Sequence, residues 1–293
     1  MSAADFADDP ELARRGTWRN YDGTNGLPGP PLAIGQDLDG FLWVGTYGTG
    51  GSRYDGEIFR TFDATDGLLV VHVWDMLTDD QGRLWFAGWE GVSCFAAGSF
   101  TNYATREGLP HNDVHVIAQD REHGIWFGTE NGLSLFDGDS FTNFTDGLPH
   151  PCINALEVDS TGTLWVGTDQ GVSRYDGQRF DTLTTADGLI SERICDLLED
   201  RNGRLWIATE DGVSCLQEGQ FRTLTSADGL ANNHVRAIME DREGRLWFGT
   251  QGGVSFGDGK RFASLTTTDG LVNDQVWSVH QDSAGDFWFG GFI

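Results

Sequence analysis

Positive charge is scarce in this chain of 293 residues: 19 Lys and Arg stand against 45 Asp and Glu, a formal net charge of −26, and Lys260 is the one lysine. A surface of that sign repels phosphate backbones and anionic lipid headgroups, which argues against nucleic acids and membranes as partners. Long apolar runs are missing too, and with no stretch of about 18 such residues no membrane span is expected. The opening MSAADFADDPELARR is acidic and has no apolar stretch of the kind a secretory leader needs. The chain as given is therefore expected in the cytoplasm, or in the periplasm if its natural start lies upstream. The four cysteines, Cys94, Cys152, Cys195 and Cys215, show no CxxC or zinc-type spacing. They are read as reduced and mostly buried. Helical periodicity is absent beyond Pro10–Arg15, so residues 1–15 are read as a disordered or short helical tail.

What the chain has in abundance is glycine, 41 residues, and tryptophan, 11 residues, and both recur with a period. Asp-Gly-Leu or a close variant places its glycine at Gly26, Gly67, Gly108, Gly147, Gly188, Gly229 and Gly270. A second marker, Trp43, Trp85, Trp126, Trp165, Trp206, Trp247 and Trp288, keeps the same step of about 41 residues. One unit reads as an apolar run VRAIMED, a turn at Gly244, RLWFGT, a turn at Gly252, GVSF, an Asp-Gly turn at Asp258-Gly259, and KRFASLT. Four short strands joined by glycine-rich turns form an antiparallel meander, and a 40-odd-residue unit of this kind is the size of a propeller blade. The expected fold is all-β: residues 16–293 as a seven-bladed propeller of four-stranded antiparallel blades. GTWRNY at Gly16–Tyr21 matches the fourth-strand segment GSFTNY at Gly98–Tyr103, so it is expected to complete the last blade and tie the ring. The last repeat stops at DFWFGGFI, after its second strand, so that blade is expected to be incomplete and the chain to be cut from a longer one.

The string DGLP-HNDVHVIAQDREHGIWFGTENGLSLFDG-DSFTNF, with counterparts in every unit from Gly16 onward, resembles the two-component regulator propeller repeat. That resemblance implies a bacterial sensor region, often periplasmic, that feeds a fused or associated output domain such as a histidine kinase. No kinase, cyclase or DNA-binding segment is present here, so the chain would sense but not signal alone.

Several motifs have plainer readings than their chemistry suggests. Gly253-Val254-Ser255-Phe256-Gly257 fits a nucleophile elbow, but Ser93, Ser134, Ser173 and Ser214 hold the same place in other repeats. His111, Asp113 and His115 form a partial metal pattern, read as a polar loop entering a strand. Turns such as Asp37-Leu38-Asp39-Gly40 lack the ligand number of a calcium loop. No catalytic residue, metal or cofactor is assigned.

The informative column is the residue after the leading Val or Ile of each first strand: Trp74, His115, Asn154, Cys195, Arg236 and Trp277. Its neighbours stay apolar while it changes chemistry in every repeat. In a propeller the first strand is innermost, so these positions are expected near one mouth of the central channel, joined there by the turn residues Tyr47 and Trp89. Trp74, His115, Asn154, Arg236, Trp277, Trp89 and Tyr47 are the candidate ligand-contacting residues. The acidic turns at Glu130, Asp169 and Glu210 favour a cationic or polyhydroxylated ligand, or a basic protein patch. The expected function is a non-catalytic sensor that binds a small molecule or a protein. A protein–protein scaffold and a propeller lyase are the alternatives, the latter needing a carboxylate and a metal to converge on His115.

Overall fold

The computed structural model describes residues 18–291; the tail expected at 1–15 lies outside them. Six sheets of four antiparallel strands follow one another, each in chain order from the innermost strand outward. Their first strands are Pro31–Gln36, Val73–Thr78, Val114–Gln119, Ile153–Val158, Ile194–Glu199 and Val235–Glu240. The seventh sheet has two strands, Val276–Gln281 and Phe287–Gly291. The expectation of seven four-stranded blades is thus corrected to six such blades and one two-stranded sheet. The outer strand expected at Gly16–Tyr21 is also corrected, because residues 18–21 are not in a strand. Trp18 and Tyr21 instead dock by their rings: Trp18 lies 6.0 Å from Phe289, and Tyr21 stacks on Trp288 at 5.7 Å.

The repeated Asp and Trp are one device. The turn between first and second strands carries an aspartate whose Oδ1 accepts the backbone N–H groups two and four residues on. Its Oδ2 accepts the indole N–H six residues on. In the fifth blade Asp200 takes Trp206 Nε1 at 2.8 Å and Arg204 Nε at 2.5 Å. The same indole bond is made by Asp37, Asp79, Asp120, Asp159, Asp241 and Asp282. Held this way, the indole packs into the joint with the next blade. Trp85 packs with Val114, Ile117 and Phe127, and Trp206 with Val235, Leu246 and Phe248. The core is therefore a series of slabs between blades, each built from two stretches about 41 residues apart.

The ring closes with the same parts. Trp288 joins Leu42, Val44 and Tyr54 of the first blade. A polar latch repeats on the face that carries these Asp turns: the side chain ending a first strand accepts a backbone N–H from the preceding unit's turn. Asp80 N–H reaches Gln119, Ser160 reaches Glu199, Arg201 reaches Glu240 and Arg242 reaches Gln281. Ser283 N–H reaches Gln36 Oε1 at 2.8 Å, across the closure.

Candidate functional site

Every first strand is bulged at one place. In the second blade Val73 faces Gly88 and Asp75 faces Ala87, leaving Trp74 as the extra residue. The same shift makes His115, Asn154, Cys195, Arg236 and Trp277 extra residues in their sheets. A bulge re-aims the side chain it carries and releases it from pairing. That explains why this column varies while its neighbours, which fill the joints, stay apolar. Because the strands run parallel from sheet to sheet, the column lies on one face of the ring, together with the turns between second and third strands.

At the first and second blades this face is aromatic. Tyr47 meets Trp74 at 6.3 Å and Trp89 at 5.7 Å, and Trp74 lies 5.7 Å from Trp89. The structure thus brings together three of the expected residues. His72 completes the corner, stacked on Trp89 at 4.2 Å and edge-on to Tyr47 at 4.7 Å. Glu90 lies 3.4 Å from His72 Nδ1 and accepts Val71 N–H. Trp89 and Tyr47 remain 41% and 36% exposed. Trp74 Nε1 is buried and donates to nothing, an unspent donor within an aromatic cluster.

At the third and fourth blades the face is polar. His115 Nδ1 lies 3.1 Å from the Ile153 carbonyl oxygen, and its Nε2 lies 3.4 Å from Asp113 and 3.7 Å from Glu130. Burial opposes the charged imidazolium, but Asp113 and Glu130 outweigh it and raise the His115 pKa above its ordinary value. Cys152 Sγ is 3.3 Å from Glu130 Oε2 and 3.3 Å from Asn154 Oδ1. Burial, then Glu130, pushes the thiol up to about 12. Asn154 donates to Asp169 at 2.8 Å and to the Ile194 carbonyl at 3.1 Å. Arg193 bridges Asp169 and Glu210. At the sixth blade the Arg236 guanidinium covers the Trp277 ring at 4.5 Å, and its buried Nε has no acceptor. The expected residues therefore fall into three groups rather than one continuous ring of contacts.

Sequence reasoning missed His72, Glu90, Glu130 as a His115 neighbour, and Cys152. The signal was a second varied column immediately before the leading Val or Ile: His72, Asp113, Cys152, Arg193 and His234 stand there or next to it. Other motifs are taken up by structure. His111 Nδ1 accepts Asp113 N–H at 3.0 Å and caps the turn. Ser255 is fully buried, and its Oγ accepts Ala231 N–H at 2.7 Å.

The family model for the two component regulator propeller matches residues 67–90, 108–131, 147–170, 188–211, 229–252 and 270–292. The chain belongs to that family. Each matched segment runs from an Asp-Gly-Leu glycine through the first two strands to the turn on the candidate face, so it contains both varied columns. Among solved structures, the propeller is similar to the extracellular domain of a putative hybrid two component system from B. thetaiotaomicron, at 24% identity and TM-score 0.83, covering 94% of this chain and 40% of that one. A second such domain from the same organism has 22% identity, a TM-score of 0.76 and coverage of 90% and 37%. The chain thus spans well under half of these relatives. Virginiamycin B lyase from Staphylococcus aureus is similar at 14% identity and TM-score 0.72, with coverage of 89% and 92%. At these identities the likeness is one of fold. No curated protein matches the chain. Among the described residues no helix is long and apolar enough to cross a membrane.

Proposed function

We propose that this propeller is a non-catalytic binding module that serves as the sensor region of a two-component-type regulator. Its ligand would be a small polyhydroxylated or cationic molecule, or a protein segment of that character, held on the bulge face. The observation that carries this reading is the partly exposed aromatic cluster of Tyr47, Trp74 and Trp89, with Glu90 beside it and the unspent Trp74 N–H within it. Aromatic faces stack on the C–H faces of sugars or on cations, and the indole N–H and carboxylate fix orientation. Leaving so much ring surface in water has a cost that a ligand would offset. The extracellular placement of the similar B. thetaiotaomicron domains favours the periplasmic side. Binding would be passed to a fused or associated output domain.

The test is a thermal-shift and calorimetric screen of neutral oligosaccharides and alkylammonium compounds on the purified chain. A hit is expected to lose at least tenfold in affinity in Trp74→Ala and Trp89→Ala. Hits whose affinity is indifferent to Trp74→Ala, Arg236→Ala and Trp277→Ala together would remove the site assignment. The lyase reading retains one observation, the approach of Asp113 and Glu130 to His115. Turnover of a cyclic peptide antibiotic that His115→Ala abolishes would put that reading first.

A further inference from the structure

We propose that His115, Glu130 and Cys152, flanked by Asp113, form a binding site for one zinc-type divalent ion at the joint between the third and fourth blades. Nothing in the regulator reading requires this site, and it lies apart from the aromatic cluster. The donor atoms of His115, Glu130 and Cys152 all lie within 4.8 Å of one another. A tetrahedral ion with bonds of about 2.0–2.3 Å sets its ligand atoms roughly 3.3–3.8 Å apart. Two edges of the group already have that length, His115 Nε2 to Glu130 Oε2 at 3.7 Å and Oε2 to Cys152 Sγ at 3.3 Å; the sulfur sits 3.8 Å from His115 Nδ1 and needs a side-chain rotation to meet an ion held at Nε2. His115 is oriented for the purpose. Its Nδ1 faces the Ile153 carbonyl at 3.1 Å, which places the ring proton on Nδ1 and turns the Nε2 lone pair toward both carboxylates. Asp113 Oδ1 is buried without a well-formed hydrogen bond, its one near partner being His115 Nε2 at 3.4 Å, so it holds spare acceptor capacity beside the site.

The donor set selects the ion. A thiolate and an imidazole beside two carboxylates suit zinc and cobalt, whereas magnesium and calcium take oxygen. On binding, the Cys152 S–H bond breaks and its proton passes to solvent as the sulfur–metal bond forms, so affinity rises with pH. His115 and Glu130 come from the third blade, and Cys152 leads into the first strand of the fourth. The ion would therefore pin that joint on the bulge face. On the opposite face Val158, like Thr78 in the second blade, stands where the other first strands carry the Gln or Glu latch.

The test uses the whole chain stripped with a chelator and titrated with Zn²⁺ or Co²⁺ alone. The expected result is saturable uptake of one ion per chain, with a thiolate-to-cobalt charge-transfer band in the Co²⁺ form. Affinity should fall roughly 100-fold in Cys152→Ser and His115→Gln, and about tenfold in Asp113→Asn. Because a variant can fail to fold, the wild-type chain carries a second readout. Zn²⁺ should protect Cys152 from a thiol reagent, followed peptide by peptide, while leaving Cys215 unaffected. Absence of one-to-one uptake, a Co²⁺ spectrum without the thiolate band, or affinity unchanged in both Cys152→Ser and His115→Gln would each overturn the site.

Discussion

At the scale of single residues, the least expected groups are two carboxylates on the innermost strands. Asp75 Oδ2 accepts Ile117 N–H at 2.8 Å and Asp196 Oδ2 accepts Ile238 N–H at 2.7 Å, so each clasps its blade to the next. Burial pushes Asp75 up to about 6 and Asp196 up to about 7, against the two backbone N–H bonds that each accepts. The native chain thus holds protons that the unfolded chain has already released near its ordinary value of about 4. Stability from this source is fully present below pH 4 and is lost as pH rises through 6 and 7. Glu157, which burial pushes up to about 7, and His115, also raised, act in the same direction, and His234 and His280, both lowered by burial, act against it. We expect Asp75→Asn with Asp196→Asn to flatten the decline in unfolding free energy between pH 5 and pH 7.5 by roughly 4 kcal/mol. The readout is the slope in urea titrations, because losing one acceptor at each site lowers stability at every pH. A double variant that keeps the wild-type slope would show that these carboxyls titrate normally.

At the scale of elements, the joint between neighbouring sheets sets what a second strand tolerates. A Cβ on Gly45 would lie 2.4 Å from Val73 Cγ1, one on Gly128 2.6 Å from Ile153, and one on Gly167 2.5 Å from Ile194. Yet Ala87 and Ala208 occupy the same register position, and these are the two residues that face Asp75 and Asp196. The methyl is accommodated where an aspartate clasp spans the joint. Gly45→Ala is therefore expected to cost about 1–3 kcal/mol by overpacking. Adding Val73→Ala should recover part of that cost, a coupling of at least about 0.5 kcal/mol in a double-mutant cycle by chemical denaturation. Strict additivity would mean that the joint relaxes and the contact does not limit it. This level of structure was only half legible in the sequence. The meander, its turns and the Trp spacing could be read because each depends on residues a few positions apart. The bulge could not: it adds no residue to the count and is seen only against the partner strand. The variation from Trp74 to Trp277 could be read without its cause. The meeting of Cys152 with Glu130 also joins two repeats, and no spacing within one repeat reports it.

At the scale of the whole molecule, the question is how a ring with one thin sheet stays closed. In the reading from the repeats, an outer strand from the N-terminal side completes the last sheet. The described residues close it with side chains instead. Trp288 fills the joint with the first blade, Tyr21 stacks on it, and Gln36 bonds Ser283 through both ends of its amide. A two-stranded sheet is marginal by itself, so its protection must come from its neighbours on either side. Two amide bonds of about 1 kcal/mol each are a large share of what separates local opening from global unfolding at such a place. We expect native-state hydrogen exchange to find Val276–Gln281 and Phe287–Gly291 the least protected inner strands of the ring. Gln36→Ala should speed their exchange at least tenfold while leaving Ile153–Val158 unchanged. Gln119→Ala, which cuts the same latch between two complete blades, should have a smaller local effect because each flanking sheet there has four strands. If Gln36→Ala instead lowered protection evenly around the ring, the closure would be part of a single cooperative unit and the seventh sheet no weaker than the rest.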